Sequence, residues 1–143
     1  MDLSKLITAE AKAAEALEAA RAKALADVMA WIDRASVPLT AGVPMQEQIG
    51  WPVKEAAAVA VLAGTATDAQ QQMIGAEAAI TGEAIPALCE TIIGKATAYH
   101  GAVGIISGLR RAVEAGLVGA KTPAACEKVS ADAIAAAESA IGA

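Results

Sequence analysis

The chain has no phenylalanine, and only two tryptophans and one tyrosine among its 143 residues. Aromatic rings carry much of the buried area of an ordinary core, so their scarcity excludes a core built on large side chains. Histidine occurs once, at His100, and cysteine twice, at Cys89 and Cys126. No CxxC pair is present, nor the Glu-x-x-His spacing that places metal ligands on one helix face. Two cysteines allow at most one intramolecular disulfide. Each lies in an alanine-rich helical context, so both are expected as buried, reduced thiols. Lysine and arginine total 11 against 16 aspartates and glutamates, a formal charge of -5. No basic run exceeds Arg110–Arg111, which argues against nonspecific nucleic-acid binding, where clustered cations replace counterions. The longest uncharged run, Ala96 to Leu109, is 14 residues, short of the roughly 20 that span a bilayer. The N-terminal stretch is interrupted by Asp2, Glu10, Glu15 and Glu18, unlike the apolar centre of a secretory signal. The expectation is synthesis in the cytoplasm without a membrane span. No phosphate-binding loop, dinucleotide fingerprint or nucleophile elbow occurs.

What the chain has is alanine. It is 56% hydrophobic, and much of that is the best helix former, which buries little area per residue. The composition predicts an all-α fold of closely packed helices with a thin core, a bundle or coiled-coil-like arrangement. Residues 2–35 contain neither proline nor glycine and read as one long helix. Leu17, Ala24 and Trp31 recur every seven residues, with Ala14, Arg21 and Val28 between them. Glu18 with Arg21, and Lys23 with Asp27, are spaced to meet across a turn. Two prolines and a glycine in "SVPLTAGVP" predict a turn or linker over 36–44, dividing an N-terminal helix (1–35) from a helical body (45–143).

In the body a short helical piece is expected first, and Trp51–Pro52 then predicts a helix start at Pro52, since the residue before proline is pushed out of helical conformation. That helix runs to Ala63, stops at Gly64, and turns Val53, Ala57, Ala60 and Val61 to the core. Thr67 and Gln70 form a capping-box pattern for the next helix, which ends at Gly82. The longest helix covers about 83–117, with Pro86 in its first turn. Along it Ile85, Cys89, Ile92, Ala96, Tyr99, Val103, Ile106, Arg110, Val113 and Leu117 alternate by four and three, a heptad seam. Leu88, Ile93, Ile105 and Leu109 widen the stripe, so more than one neighbour is expected. Thr122 and Pro123 cap and start a last helix toward Ser139, with Val129, Ala133, Ile134 and Ala137 as its apolar face.

This pattern supplies no catalytic, cofactor or metal residues. The residues expected to carry interactions are Trp51, Ile92, Tyr99, Val103, Ile106, Arg110 and Val113. Each has a plainer reading. Trp51 is either a structural cap on the core or an anchor for a partner. Arg110, on the seam, either pairs with a carboxylate or recognises an acidic patch on another protein. His100 beside Tyr99 is expected at a helix surface or interface edge. Gly104 and Gly108 form a GxxxG pattern, expected here as a place where a second helix comes close.

Four stretches together resemble a family. "DLSKLITAEAKAAEALEAARAKAL" is similar to the N-terminal helix of bacteriophage and prophage tail-associated proteins. "GWPVKEAAAVAVLAGTATDAQ", "AEAAITGE" and "IIGKATAYHGAVGIISGLRRAVEAGL" resemble the body of small helical proteins encoded with phage tail and tail-fibre genes. The carrying residues are Trp51, Pro52 and Lys54; Gly64 to Thr67; Thr81 to Glu83; and Gly108 to Arg111, within a span from residue 2 to about 125. The resemblance implies a noncatalytic structural protein of a phage tail or fibre, made in a bacterial host and located in the virion. It would self-associate or bind other tail proteins. The alternative is a tail-fibre assembly chaperone absent from the mature particle. A third reading, a small helical enzyme or metal protein, would need an activity lost on His100→Ala or a bound metal. Trimeric fibres make a trimer an expectation from the setting, although the seam residues specify no strand number.

Overall fold

The structure, a computed structural model, describes residues 2–142. It is all-α: α1 (Leu3–Thr40), α2 (Met45–Ala63), α3 (Asp68–Thr81), α4 (Ile85–Gly119) and α5 (Pro123–Gly142). The chain forms two compact units. A terminal unit joins the residues up to Val37 with those from Ala102 onward; a middle unit holds Pro38–Gly101. The division therefore falls inside α1 and inside α4, and does not follow the expected order of an N-terminal helix and then a body.

Several boundaries follow the local chemistry. Thr67 and Gln70 make the reciprocal capping box at the start of α3. Gly64 (φ 73°) and Gly82 (φ 79°) take the left-handed conformation that ends α2 and α3, an arrangement a Cβ would penalise. The Thr122 hydroxyl accepts from the Ala125 N–H at 3.1 Å and caps α5.

Two proline expectations are corrected. The helix expected to stop at residue 35 continues to Thr40 with Pro38 inside it, and the break contracts to residues 41–44. Pro38 lies in the last turn, so only one backbone bond is forfeited. Pro52 likewise does not start a helix; it lies within α2, whose first residue is Met45. The helix runs through Pro52 despite the lost bond to the Gln48 carbonyl, with Trp51 held by its contact with the Tyr99 ring and Ala57 and Ala58 buried on the following turns.

In the terminal unit, α1, the second half of α4 and α5 share one core. Its fully buried members include Val28, Val113 and Cys126, with Ala24, Ile32, Leu109, Leu117 and Ala137 around them. Val129, Ala133 and Ile134 of α5 pack against it as their spacing predicts. The Arg21 guanidinium donates to carbonyls at the end of α4, from Nε to Leu117 O in its last turn at 3.1 Å and from Nη2 to Ala120 O just past it at 2.9 Å. The Trp31 indole N–H donates to Glu138 of α5 at 3.0 Å. Arg21 thus meets the α4–α5 connection and Trp31 meets the far end of α5, so α1 and α5 run in the same direction, antiparallel to α4.

In the middle unit α2 and α3 form a hairpin against the first half of α4. Ala57, Ala58 and Cys89 are fully buried and Ile74 nearly so, with Ala78, Leu88 and Ile92 completing the cluster. Of the four α2 residues expected to face this core, Ala57 does and Val61 packs beside it, but Ala60 is half-buried and Val53 is exposed. Cys89 and Cys126 are both free and buried, as expected, and burial pushes the Cys89 thiol above its ordinary pKa.

The long seam of α4 is corrected too. Cys89 and Ile92 serve the middle unit's core, and Val113 and Leu117 serve the terminal unit's core. Between these groups Val103 and Arg110 are exposed, as is Ile85 at the helix start. A 3.6-residue helix drifts relative to a seven-residue repeat, so a straight helix 35 residues long cannot keep one heptad line buried.

The glycines are corrected as well. A Cβ at Gly104 or Gly108 would meet nothing within 4 Å, whereas one at Gly116 would lie 2.8 Å from Val129 Cγ1. The close helix approach is at Gly116, between α4 and α5. Gly104→Ala and Gly108→Ala are therefore expected to stabilise the helix by up to ~1 kcal/mol each. Gly116→Ala is expected to destabilise by about 1–3 kcal/mol despite the same helix gain, because Val129 has one favoured rotamer and cannot retreat. Urea unfolding of the three variants checks the signs, and Val129→Ala should rescue Gly116→Ala.

Candidate functional site

The middle unit contains a cavity of about 500 Å³, within the size range of small-ligand pockets. It is built from two helix faces and the segment before α2. On α2, Trp51, Lys54 and Glu55 share one face at spacings of three and four residues. On α4, Ile92, Lys95, Ala96 and Tyr99 do the same, with His100 alongside; Leu39 and Val43 close one side.

Inside it the Trp51 and Tyr99 rings meet edge to face, centroids 5.3 Å apart at 73°. This is the favourable quadrupole arrangement, and it leaves both rings half-buried. His100 Nε2 lies 2.8 Å from Glu55 Oε2, joining α4 to α2. Lys54 Nζ lies 2.8 Å from Glu77 Oε2, joining α2 to α3. Glu47, Gln48, Glu83, Thr91 and Lys95 complete the polar lining. The only lining hydroxyls belong to Thr91 and Tyr99, and no serine or cysteine lines the cavity. Lys54 with Glu77 and His100 with Glu55 thus pair four of the lining charges with one another. Among the described residues no three potential ligands of the His, Cys, Asp or Glu type gather as a metal site.

The structure brings three of the expected interaction residues to one place: Trp51 and Tyr99 line the cavity, with Ile92 at its base. It does not bring the others there. Val113 is in the terminal unit's core, Ile106 packs against that core, and Val103 is exposed. Arg110 pairs with Glu114 one turn on, at 3.0 Å, which is the plainer of its two readings. Glu55 and Glu77 carried no sequence signal of their own, and Lys54 stood out only in the Trp-Pro-x-Lys pattern of the resemblance. The shared face of Trp51, Lys54 and Glu55 on α2 was the pattern that could have pointed to them.

Comparisons with protein families, with curated proteins and with solved structures find no match to this chain. Among the described residues no helix is long and apolar enough to cross a membrane.

Proposed function

We propose that this chain is a noncatalytic assembly protein that joins other chains through helix faces, in the setting of a phage tail or tail fibre. The observation that carries this is the start of α1. Every residue from Asp2 to Ala16 is exposed, including Leu3, Leu6 and Ile7. Ile7 and Ala14 continue, at steps of seven, the line of Arg21 and Val28, and Leu3 lies two such steps before Leu17 with the charged Glu10 between them, on the side that packs in the terminal unit through Leu17, Ala24 and Val28. The apolar seam of α1 thus runs about 20 Å past the last helix available to cover it. An isolated helical stretch of this length is marginal in water, so a partner helix is what would make it stable. The phage setting is supported by the resemblance of the four sequence stretches and locates the protein in the virion, after synthesis in the bacterial host.

The test is mass spectrometry of purified particles from the producing strain. A structural role expects the chain at fixed stoichiometry with the tail proteins. The cavity walled by Trp51 and Tyr99 favours a second reading, an assembly chaperone that holds a segment of a fibre protein. That reading expects absence from particles and co-purification with unassembled fibre. Absence from both overturns the phage setting.

A further inference from the structure

We infer that the cavity of the middle unit is a binding site for an alkylammonium, a cationic head carried on an aliphatic stem. The inference stands apart from the assembly reading, which rests on α1, and would survive its failure. The chain has three aromatic residues, and two of them, Trp51 and Tyr99, line this cavity. Neither is spent on the core: both are half-buried and lie outside the cluster that Ile74, Cys89 and Ile92 close. Their rings meet at 73°, so they form two adjoining walls at nearly a right angle. The negative faces of such rings attract a cation, and aromatic corners are a recurring means of holding an organic ammonium group.

The charge of the lining selects the same sign. Glu47, Glu55, Glu77 and Glu83 stand against Lys54 and Lys95, a formal charge of -2 with His100 neutral. Lys54 is held by Glu77 and His100 by Glu55. Among the described residues Glu47 and Glu83 make no ion pair, and Lys95 is the one lining cation outside the two pairs. Glu47 precedes Trp51 by four residues and shares its face of α2, which puts a free carboxylate one turn from the ring. An anion would have Lys95 alone to meet, against two uncompensated carboxylates. A cation meets both carboxylates and both rings. The stem follows from the remaining walls. Leu88 and Ile92 are buried, and Leu39 and Val43 join them in the lining. An aliphatic chain gains by leaving water for such walls, and a cavity of about 500 Å³ accommodates several carbons. All of these residues lie within Pro38–Gly101, so the site is complete in one unit.

Titration of the full chain with n-hexylammonium chloride at neutral pH tests this, followed by the indole N–H signals of the two tryptophans in a nitrogen–proton correlation spectrum. Trp31→Phe assigns the signals. The Trp51 signal is expected to shift saturably at millimolar concentrations or below, while that of Trp31, in the terminal unit, stays still. Hexanol, with the same stem and no charge, should bind at least about fivefold more weakly, and hexanoate should not bind. Tyr99→Leu keeps an apolar wall without the ring and should weaken hexylammonium by about three- to tenfold. Joint Glu47→Gln and Glu83→Gln should narrow the preference over hexanol by at least about twofold. Both glutamates are exposed, so this second variant keeps its fold whatever Tyr99→Leu does. Nα-acetyl-lysine methylamide presents the same head and stem on a peptide backbone. Its binding within about threefold of hexylammonium assigns the site to a lysine side chain of another protein; binding of hexylammonium alone assigns it to a free amine. An unmoved Trp51 signal overturns the inference, as does equal binding of hexylammonium, hexanol and hexanoate. Hexylammonium affinity indifferent to both sets of substitutions overturns it too.

Discussion

Ile74→Ala will destabilise the middle unit by about 2–5 kcal/mol, the range for truncating a buried isoleucine. Ile74 is the largest of the fully buried side chains, at 1% exposure. Its neighbours explain why the upper part of the range is expected. Three of the six other buried residues in its cluster, Ala57, Ala58 and Ala78, are alanines, and alanine has no rotamer with which to fill a void. The cavity left behind therefore persists, and its lining loses dispersion contacts outright. Whole domains are stable by only about 5–15 kcal/mol, so this one change removes a large share. Urea unfolding followed by circular dichroism should show an earlier transition, with Ile74→Val costing only about 0.5–1.5 kcal/mol. A loss below about 1 kcal/mol for the alanine variant, smaller than any truncation of this kind in a packed core, would mean the hairpin does not close on α4 as described.

Arg21→Ala will cost the terminal unit about 2–3 kcal/mol, through two charge-assisted hydrogen bonds lost together. The guanidinium fork holds the Leu117 and Ala120 carbonyls at the C-terminal end of α4, where a cation also meets the negative end of the helix dipole. Lysine keeps the charge but offers no planar fork, so Arg21→Lys should recover less than half of the loss. Glu18→Ala is the control. Its carboxylate is 3.6 Å from Arg21 and its side chain is 77% exposed, so removal should change stability by less than about 0.5 kcal/mol. If Glu18→Ala costs as much as Arg21→Ala, the arginine acts as a surface ion pair and not as a cap on α4.

The helices were legible where local chemistry decides them. Thr67 with Gln70, Gly64, Gly82 and Thr122 each act on atoms within five residues, and all behave as their sequence context implies. Pro38 was misread because in the last turn of α1 it forfeits only one backbone bond, and Pro52 because contacts made by Trp51, Ala57 and Ala58 with other helices hold α2 through it. Arg21 was legible as a partner of Glu18, but its principal contacts lie 96 and 99 residues away, and no local pattern encodes that. The α4 seam was misread for a related reason. Its two halves serve different cores, and a heptad count cannot see where one neighbour ends and another begins. At the cavity, Trp51 and Tyr99 stood out by rarity in an aromatic-poor chain. Their meeting at 5.3 Å, and the pairing of His100 with Glu55 at 2.8 Å, depend on how α2 and α4 pack.

Amide hydrogen exchange along α1 tests the central claim most directly, on the full chain at a concentration where it is monomeric. The account rests on an apolar seam that outruns its own partners. It predicts strong protection across residues 17–40 and near-unprotected exchange across 3–16, with protection spreading into 3–16 when the partner binds. Equal protection of both stretches in the monomer would mean that Leu3, Leu6 and Ile7 are already covered within the chain. That result would remove the reason for assembly.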